Sequence, residues 1–291
     1  MRFIVTGGAG FIGSNLVESL LEDGHKVEVV DNLSTGSLDN IPDKATKWLC
    51  PVSSIGAVGE GIDGIFHLGI PSSPYLYRED RHYCAQAIDN WIFLLEYAKG
   101  LGVKKIVFAT TSSLYNGCVK PFYEDRLPLI KDFYTETRFH MERLGKVYYD
   151  LYNVENIGLR LFAVFGEHEE AKKGFANVVT QMMWAKWAGK PFDIWGKGTQ
   201  TRDLIYVKDV VRAFRIAMES SIPHGIYNVG NGVEWTLNRM AKTIGCEVNY
   251  IPNPMQNYVE RTKSWNGLAE SELGFTPTYQ VKEQIVRLSN V

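Results

Sequence analysis

The chain has 291 residues, 45% of them apolar and 22% charged, with 31 Lys+Arg against 33 Asp+Glu for a formal net charge of −2. That apolar content fills the core of one large domain or two modest ones, and it excludes disordered or collagen-like organisation. The near balance of charge gives no electrostatic case for nucleic acid or an anionic membrane as the main partner, and no apolar run approaches the roughly 18 residues of a membrane helix.

Met1 runs straight into a strand pattern, with no apolar leader core and no small-residue cleavage site, so a cytoplasmic protein is expected. Arg2–Thr6 reads as a short buried strand. Phe11–Glu22 reads as a helix, with Phe11, Ile12, Leu16, Leu20 and Leu21 near one face and Gly24 as a stop. Lys26–Val30, Gly64–Leu68, Lys105–Thr110 and Asn156–Leu161 read as further strands. Gln86–Lys99 and Tyr134–Asn153 have helical periodicity, and the Pro/Ser-rich stretch around Tyr77 reads as a loop. Strand–helix alternation with apolar strands predicts an α/β fold, a parallel sheet covered on both faces. After Gly166 the pattern loosens. A helix at Val178–Ala188, a strand at Phe192–Trp195 and a Gly196-Lys197-Gly198 turn precede an extended Arg202–Val207, a helical Asp209–Met218 and a loop-rich Pro252–Pro277. This predicts a nucleotide-binding domain over residues 1–165, rejoined by about 203–220, and a smaller mixed α/β substrate domain over 166–291.

The four cysteines, at 50, 84, 118 and 246, form no CxxC, and the six histidines make no HExxH or paired ligand spacing. Neither a metal site nor a disulfide framework is expected, and reduced cysteines fit a cytosolic protein. The chemistry lies elsewhere. Gly7, Gly10 and Gly13, in Thr6-Gly7-Gly8-Ala9-Gly10-Phe11-Ile12-Gly13, follow a strand and open a helix. Glycine permits the tight turn and lets phosphates approach the backbone, while the helix N-terminus offers free N–H groups and partial positive charge to a pyrophosphate. Asp31 ends the second strand, where a carboxylate accepts hydrogen bonds from a ribose diol and repels a 2′-phosphate. The pattern predicts NAD rather than NADP.

From these residues onward the chain resembles the extended short-chain dehydrogenase/reductase superfamily, and within it the NAD-dependent nucleotide-sugar epimerase/dehydratase family that includes UDP-glucose 4-epimerase. The likeness rests on the glycine loop, on Asp31-Asn32-Leu33-Ser34-Thr35-Gly36, on the block from Gly196 through Thr201-Arg202-Asp203 to Val211, on Tyr227-Asn228-Val229-Gly230, and on Leu273-Gly274-Phe275-Thr276-Pro277. It therefore covers nearly the whole chain. It implies a Rossmann-type doubly wound parallel sheet, NAD as cofactor, and a homodimer pairing through helices 86–99 and 134–153. It also places Phe11, Ile12, Asn32, Ser34, Thr35 and Gly36, together with Leu68, Gly69 and Ile70 of the His67-Leu68-Gly69-Ile70 segment, against the cofactor.

The resemblance further implies a tyrosine acid/base, a lysine four residues on and a Ser/Thr hydroxyl from the preceding strand end. A phenol takes a proton at neutral pH only beside cations that stabilise the phenolate. None of the fifteen tyrosines has Lys at +4, while Tyr77 and Tyr134 have Arg there, as Arg81 and Arg138. Tyr134 opens a helix after the Thr110 strand, and Glu142 follows where the family carries an acid, so the resemblance points to Tyr134 as the acid/base and Arg138 as the cation. Arginine keeps the charge but not the shape of lysine. Thr111 takes the hydroxyl role, with Ser112 as second candidate. Ser112 and Ser113 stand where 4,6-dehydratases carry an Asp-Glu pair, which turns the reading from dehydratase toward epimerase.

Arg202 falls at the family's phosphate-binding arginine, Arg261 is a second candidate, and Asn177 matches a diphosphate or sugar contact, so a UDP-sugar is the expected partner. Three departures weaken the usual contacts: Pro51 for an Asp at the adenine, Ala87 for an Asn near the cofactor, and Ala163 for an Asn that often touches the sugar. The function read is 4-epimerisation through a transient 4-keto sugar. A nucleotide-sugar oxidoreductase or reductase, a dehydratase-like enzyme, a uronic-acid decarboxylase and a catalytically weakened binding protein remain as alternatives.

Overall fold

The computed structural model describes residues 1–118, 122–126, 130, 132–254 and 259–290. The strands in chain order are β1 (Arg2–Thr6), β2 (Lys26–Val30), β3 (Thr46–Trp48), β4 (Gly64–His67), β5 (Lys105–Thr111), β6 (Glu155–Leu161), β7 (Ala163–Phe165), β8 (Phe192–Trp195), β9 (Thr201–Tyr206), β10 (His224–Val229), β11 (Glu234–Thr236) and β12 (Val248–Ile251). The helices are α1 (Phe11–Glu22), α2 (Pro74–Glu79), α3 (His82–Leu101), α4 (Phe133–Tyr152), α5 (Val178–Trp187), α6 (Val207–Glu219), α7 (Leu237–Ile244) and α8 (Val281–Ser289), with a π-helical turn at Ala269–Leu273.

Seven strands form one parallel sheet in the order β3-β2-β1-β4-β5-β6-β10. Successive residues of β1 serve opposite faces, as strand geometry requires. Phe3 and Val5 pack with Leu16 and Leu20 of α1 and Phe214 of α6. Ile4, between them, packs with Trp91 and Leu94 of α3 and Met141 of α4. That two-sided burial makes the strands read as apolar runs. The chain winds from β1 toward β2 and later returns to β4 on the other side of β1. The crevice at the carboxyl ends of these strands is thus a topological switch point, where ligands bind in such sheets.

The helices that flank this crevice have clear boundaries. Ser73 caps α2 by accepting from the Tyr75 N–H, with Pro74 in the first turn, so the stretch expected as a loop around Tyr77 is a helix. Asp132 caps α4 by accepting from the Thr135 N–H, and the left-handed Asn153 (φ 55°) ends it. The indole of Trp91 donates to the Met141 carbonyl at 2.9 Å and ties α3 to α4.

The second half is built from smaller pieces. β11, β9 and β7 form one sheet and β12 and β8 a parallel pair. Met182, Ile194, Leu204, Trp235, Met240 and Ile285 bring these strands together with α5, α7 and α8. β9 belongs to this sheet, so the stretch that returns to the main sheet is 207–229 rather than 203–220. It comprises α6, packed beside α1, and the edge strand β10. β10, α7 and α8 lie where no element was expected. Only one residue, Phe162, separates β6 from β7. Among the described residues no helix is long and apolar enough to cross a membrane.

His67, at the end of β4, is fully buried, stacks on Trp91 at 5.7 Å and shares a 2.7 Å hydrogen bond with Thr6 Oγ1. Burial first, and then the nearby Arg138 charge, push its pKa down to about 3. The unfolded chain takes up this proton near its ordinary pKa of 6.5, whereas the folded chain does not. The contribution is therefore complete above pH 6.5 and is lost as the pH falls toward 3, with a slope of up to about 1.4 kcal/mol per pH unit. Urea unfolding between pH 7 and pH 5 is expected to show a shallower loss of stability in His67→Phe than in the parent. Equal slopes would remove His67 from the acid response.

Candidate active site

A cleft of about 640 Å³ opens at the switch point, within the range of small-molecule sites. One wall is the turn from β1 into α1. Gly7 has φ +70°, and a Cβ placed on it would lie 2.5 Å from the Gly69 nitrogen. A Cβ on Gly13 would lie 2.0 Å from the Gly7 carbonyl oxygen. The Gly7 N–H donates to the Val30 carbonyl at 2.8 Å, and the Gly10 N–H to the Gly7 carbonyl at 3.0 Å. This packing brings α1 close to the sheet, and α1 begins at Gly10 with no side-chain cap. Its first N–H groups are left for a ligand, which is the arrangement that binds a pyrophosphate.

Asp31 ends β2 and is 8% exposed. Its two oxygens accept from the Ala9 N–H at 2.9 Å and the Leu33 N–H at 2.7 Å, which join the glycine loop to the following loop. Burial pushes its pKa up, and those two N–H groups pull it back. Asn32 accepts from the Ser34 N–H at 3.1 Å. Gly7, Gly10, Phe11, Ile12, Gly13, Asp31, Asn32, Ser34, Thr35, Leu68, Gly69 and Ile70 all line the cleft. Gly36 lies behind this wall, where a Cβ would come within 2.8 Å of Ala9. An uncapped helix start, a cradle with no room for side chains and a carboxylate at the strand end fit a dinucleotide. Pro51 and Ala163 also reach the cleft, whereas Ala87 is buried in the core of α3.

The opposite wall carries Thr111, Ser112, Tyr134 and Arg138. Thr111 ends β5, and its hydroxyl oxygen accepts from the Ser113 N–H at 3.1 Å, leaving the hydroxyl proton to donate. Tyr134 lies in the first turn of α4 and is 7% exposed, and Arg138, one turn on, is 3% exposed. The guanidinium carbon sits 5.2 Å from the centre of the Tyr134 ring. Arg138 turns inward: its Nη1 donates to the Ala109 carbonyl at 3.1 Å and its Nη2 to the Pro71 carbonyl at 3.0 Å. Its Nε is buried without a hydrogen-bond partner among the described residues. Tyr77, the other tyrosine with Arg at +4, donates to the Pro71 carbonyl at 3.1 Å, and burial pushes its pKa up to about 12. A phenol held protonated and committed to a carbonyl is not an acid/base group. Glu142 is engaged by Arg160 through two hydrogen bonds of 3.0 and 2.7 Å inside the core.

Asn177, Arg202 and Arg261 all reach the far end of the cleft. Asn177 caps α5 by accepting from the Val179 N–H at 3.0 Å. Arg202 Nη1 donates to the Thr201 and Val259 carbonyls, and Arg261 pairs with Glu234 at 3.0 and 2.7 Å while staying exposed. Several cleft residues escaped the sequence reading, among them a charged pair. Lys172 lies 3.2 Å from the fully buried Glu169, whose carboxylate also accepts from the Asn177 N–H and from the Thr180 hydroxyl. Both fall in a charged run, Glu169-Glu170-Ala171-Lys172-Lys173, that has the composition of a solvated surface.

A model of the NAD-dependent epimerase/dehydratase family matches residues 3–230. The chain belongs to this family. It is an enzyme of that NAD-dependent family, and its relatives divide in their activities. A putative UDP-glucose 4-epimerase of Methanocaldococcus jannaschii is 30% identical over 304 residues, covering 99% of this chain and 97% of the relative. UDP-glucuronic acid decarboxylase 1 of Danio rerio is 29% identical, covering 97% of this chain and 70% of the relative. The crystal structure of UDP-glucose 4-epimerase with UDP-glucose from Thermotoga maritima superimposes with a TM-score of 0.93 at 30% identity, covering 100% of this chain and 98% of that one.

NAD is expected to stay with the parent protein through purification, seen as a mass increment under native mass spectrometry. Gly13→Ala is expected to lose it while keeping the parent's far-ultraviolet circular dichroism, because the added methyl cannot coexist with the Gly7 carbonyl. Retention of NAD by a folded Gly13→Ala protein would refute the placement of the pyrophosphate.

Proposed function

We propose that this enzyme interconverts the C4 epimers of a UDP-sugar through a transient 4-keto sugar. The observation that carries the reading is the convergence of Tyr134, Arg138 and Thr111 on one cleft with the glycine loop. NAD⁺ held by Gly7–Gly13, Asp31 and Leu68–Ile70 supplies a reversible hydride acceptor at the sugar carbon. The Tyr134 hydroxyl, as phenolate, takes the proton from the C4 hydroxyl, with the Arg138 charge held against its ring. Thr111 donates a hydrogen bond to the same sugar oxygen as it becomes a carbonyl. The keto sugar then presents its other face, and Tyr134 returns the proton. Ser112 and Ser113 offer no carboxylate for elimination of water, which disfavours dehydratase chemistry. Arg202, Arg261 and Asn177 are assigned to the diphosphate end, with Arg261 exchanging Glu234 for phosphate oxygens.

A homodimer is part of this reading. Ile92 and Leu101 of α3, with Val147 and Leu151 of α4, are exposed and supply its apolar surface. Light scattering should give twice the 32.9 kDa chain mass, and Leu151→Glu should give a monomer. A monomeric parent contradicts the assignment.

Incubation with UDP-hexoses, followed by proton NMR, is expected to show equilibration at C4 with no lasting rise in reduced-nicotinamide absorbance. Tyr134→Phe should slow this by about a thousandfold. A stoichiometric, lasting absorbance change would make the protein an oxidoreductase, and carbon dioxide released from UDP-glucuronate would make it a decarboxylase. Ligand binding without isotope exchange at the sugar would leave a binding protein.

A further inference from the structure

Tyr77 sits directly behind the proposed acid/base group. It is fully buried on α2, and its ring meets that of Tyr134 edge to face at 5.5 Å. One carbonyl, that of Pro71, accepts from two donors: the Tyr77 hydroxyl at 3.1 Å and Arg138 Nη2 at 3.0 Å. The Ala109 carbonyl, near the end of β5, takes Arg138 Nη1 at 3.1 Å. Tyr77 therefore touches the phenol through its ring and fixes the guanidinium through the carbonyl they share.

A guanidinium presents several N–H donors in a planar fork and can span two carbonyls from different loops. An ammonium carries all its donors on one atom. We propose that Tyr77 is a positioning residue, and that Tyr77, the Pro71 carbonyl and the Ala109 carbonyl form a seat fitted to Arg138, holding its charge against the Tyr134 ring. The arginine is thus the residue this site is built for, and lysine would fit it worse. The Tyr77 hydroxyl keeps the Pro71 carbonyl turned toward Nη2. Without that hydroxyl the carbonyl is free to turn and the guanidinium to drift from the ring.

Other titratable and charged groups face this cluster. Tyr83 packs on Tyr77 at 6.1 Å, and Cys84 Sγ lies 3.9 Å from the Phe133 carbonyl. Arg81 lies over the Phe133 ring at 5.6 Å, His67 is held neutral on the sheet side, and Glu142 on α4 is closed off by Arg160. None of these is bonded to the Pro71 carbonyl in the hydrogen bonds described, so a change at the Tyr77 hydroxyl acts on the Arg138 seat.

The kinetic part of the test rests on the epimerase reading. The proteins are the parent, Tyr77→Phe, Arg138→Lys and the double variant. Tyr77→Phe is expected to lower kcat about tenfold, with KM for the UDP-sugar within about twofold. The rising limb of kcat/KM against pH should move from the parent's position, because the Arg138 charge no longer sits against the Tyr134 ring. Arg138→Lys should lower activity, and adding Tyr77→Phe to it should cost nothing more, since the two residues act as a unit. An unchanged kcat and pH limb in Tyr77→Phe, a gain of activity in Arg138→Lys, or additive losses in the double variant would overturn the proposal. Thermal unfolding of the substrate-free proteins supplies an independent cycle: the loss in melting temperature caused by Tyr77→Phe should differ between the Arg138 and Arg138→Lys backgrounds, because the two donors share the Pro71 carbonyl. If no form turns over a UDP-sugar, the epimerase reading falls, and the melting cycle alone upholds the seat by that coupling or overturns it by additivity.

Discussion

Arg160 and Glu142 meet through two hydrogen bonds in a space from which water is excluded, each side chain only 4% exposed. Thr110 donates to the same carboxylate at 2.6 Å, and Arg160 reaches on to the Tyr115 hydroxyl at 2.7 Å, which donates to Asn228 at 2.8 Å. One connected set of polar groups thus joins α4 to β5, β6 and β10. A buried pair of this kind contributes little net stability against a well-packed apolar substitute, but leaving one partner behind costs about 3–5 kcal/mol. Its value here is positional. Tyr134, Arg138 and Glu142 follow one another at i, i+4 and i+8 along one side of α4. Fixing the carboxylate fixes the rotation of the helix, and with it the phenol and the guanidinium at the cleft.

Arg138, which stands where the resemblance implies a lysine, is buried by an inward turn that holds its charge at this place. Removing a charge from water is costly unless partners replace the water. Two backbone carbonyls and an aromatic face do so, and a group that stays protonated at any ordinary pH tolerates the exchange better than an amine. The motif is therefore altered in one residue while the local chemistry of the wall stays consistent with it.

How much of this was legible in the sequence depended on whether a feature is local. β1, α1 and β2 were readable because each carries its own periodicity, and Gly7, Gly13 and Asp31 because close backbone approach demands those residue types at those spacings. Tyr134, Thr111 and Arg202 were found through resemblance, and they do line one cleft. β10 was not readable: only its last three residues are buried, and it is an edge strand defined by its pairing with β6. Tyr77 was misplaced in a loop because the cap at Ser73 and the packing of α2 against α4 decide its conformation. Its partner is a backbone carbonyl, and no pattern of side chains reveals one. Gly36, which belongs to the motif that Asp31 begins, packs closely on Ala9 of the glycine loop.

The crossing from β6 to β7 takes a single residue, and that residue is anchored. Phe162 is 5% exposed, its N–H donates to the Val229 carbonyl at 3.0 Å, and its ring stacks with Tyr115. Further on, α6 and β10 return to the first sheet before the chain enters β11. A protein that opens like a jaw needs a pliant joint between two bodies, and this stretch offers none. The first sheet and the sheet of β7, β9 and β11 are therefore held to each other at this crossing, and the cleft between them keeps its width there.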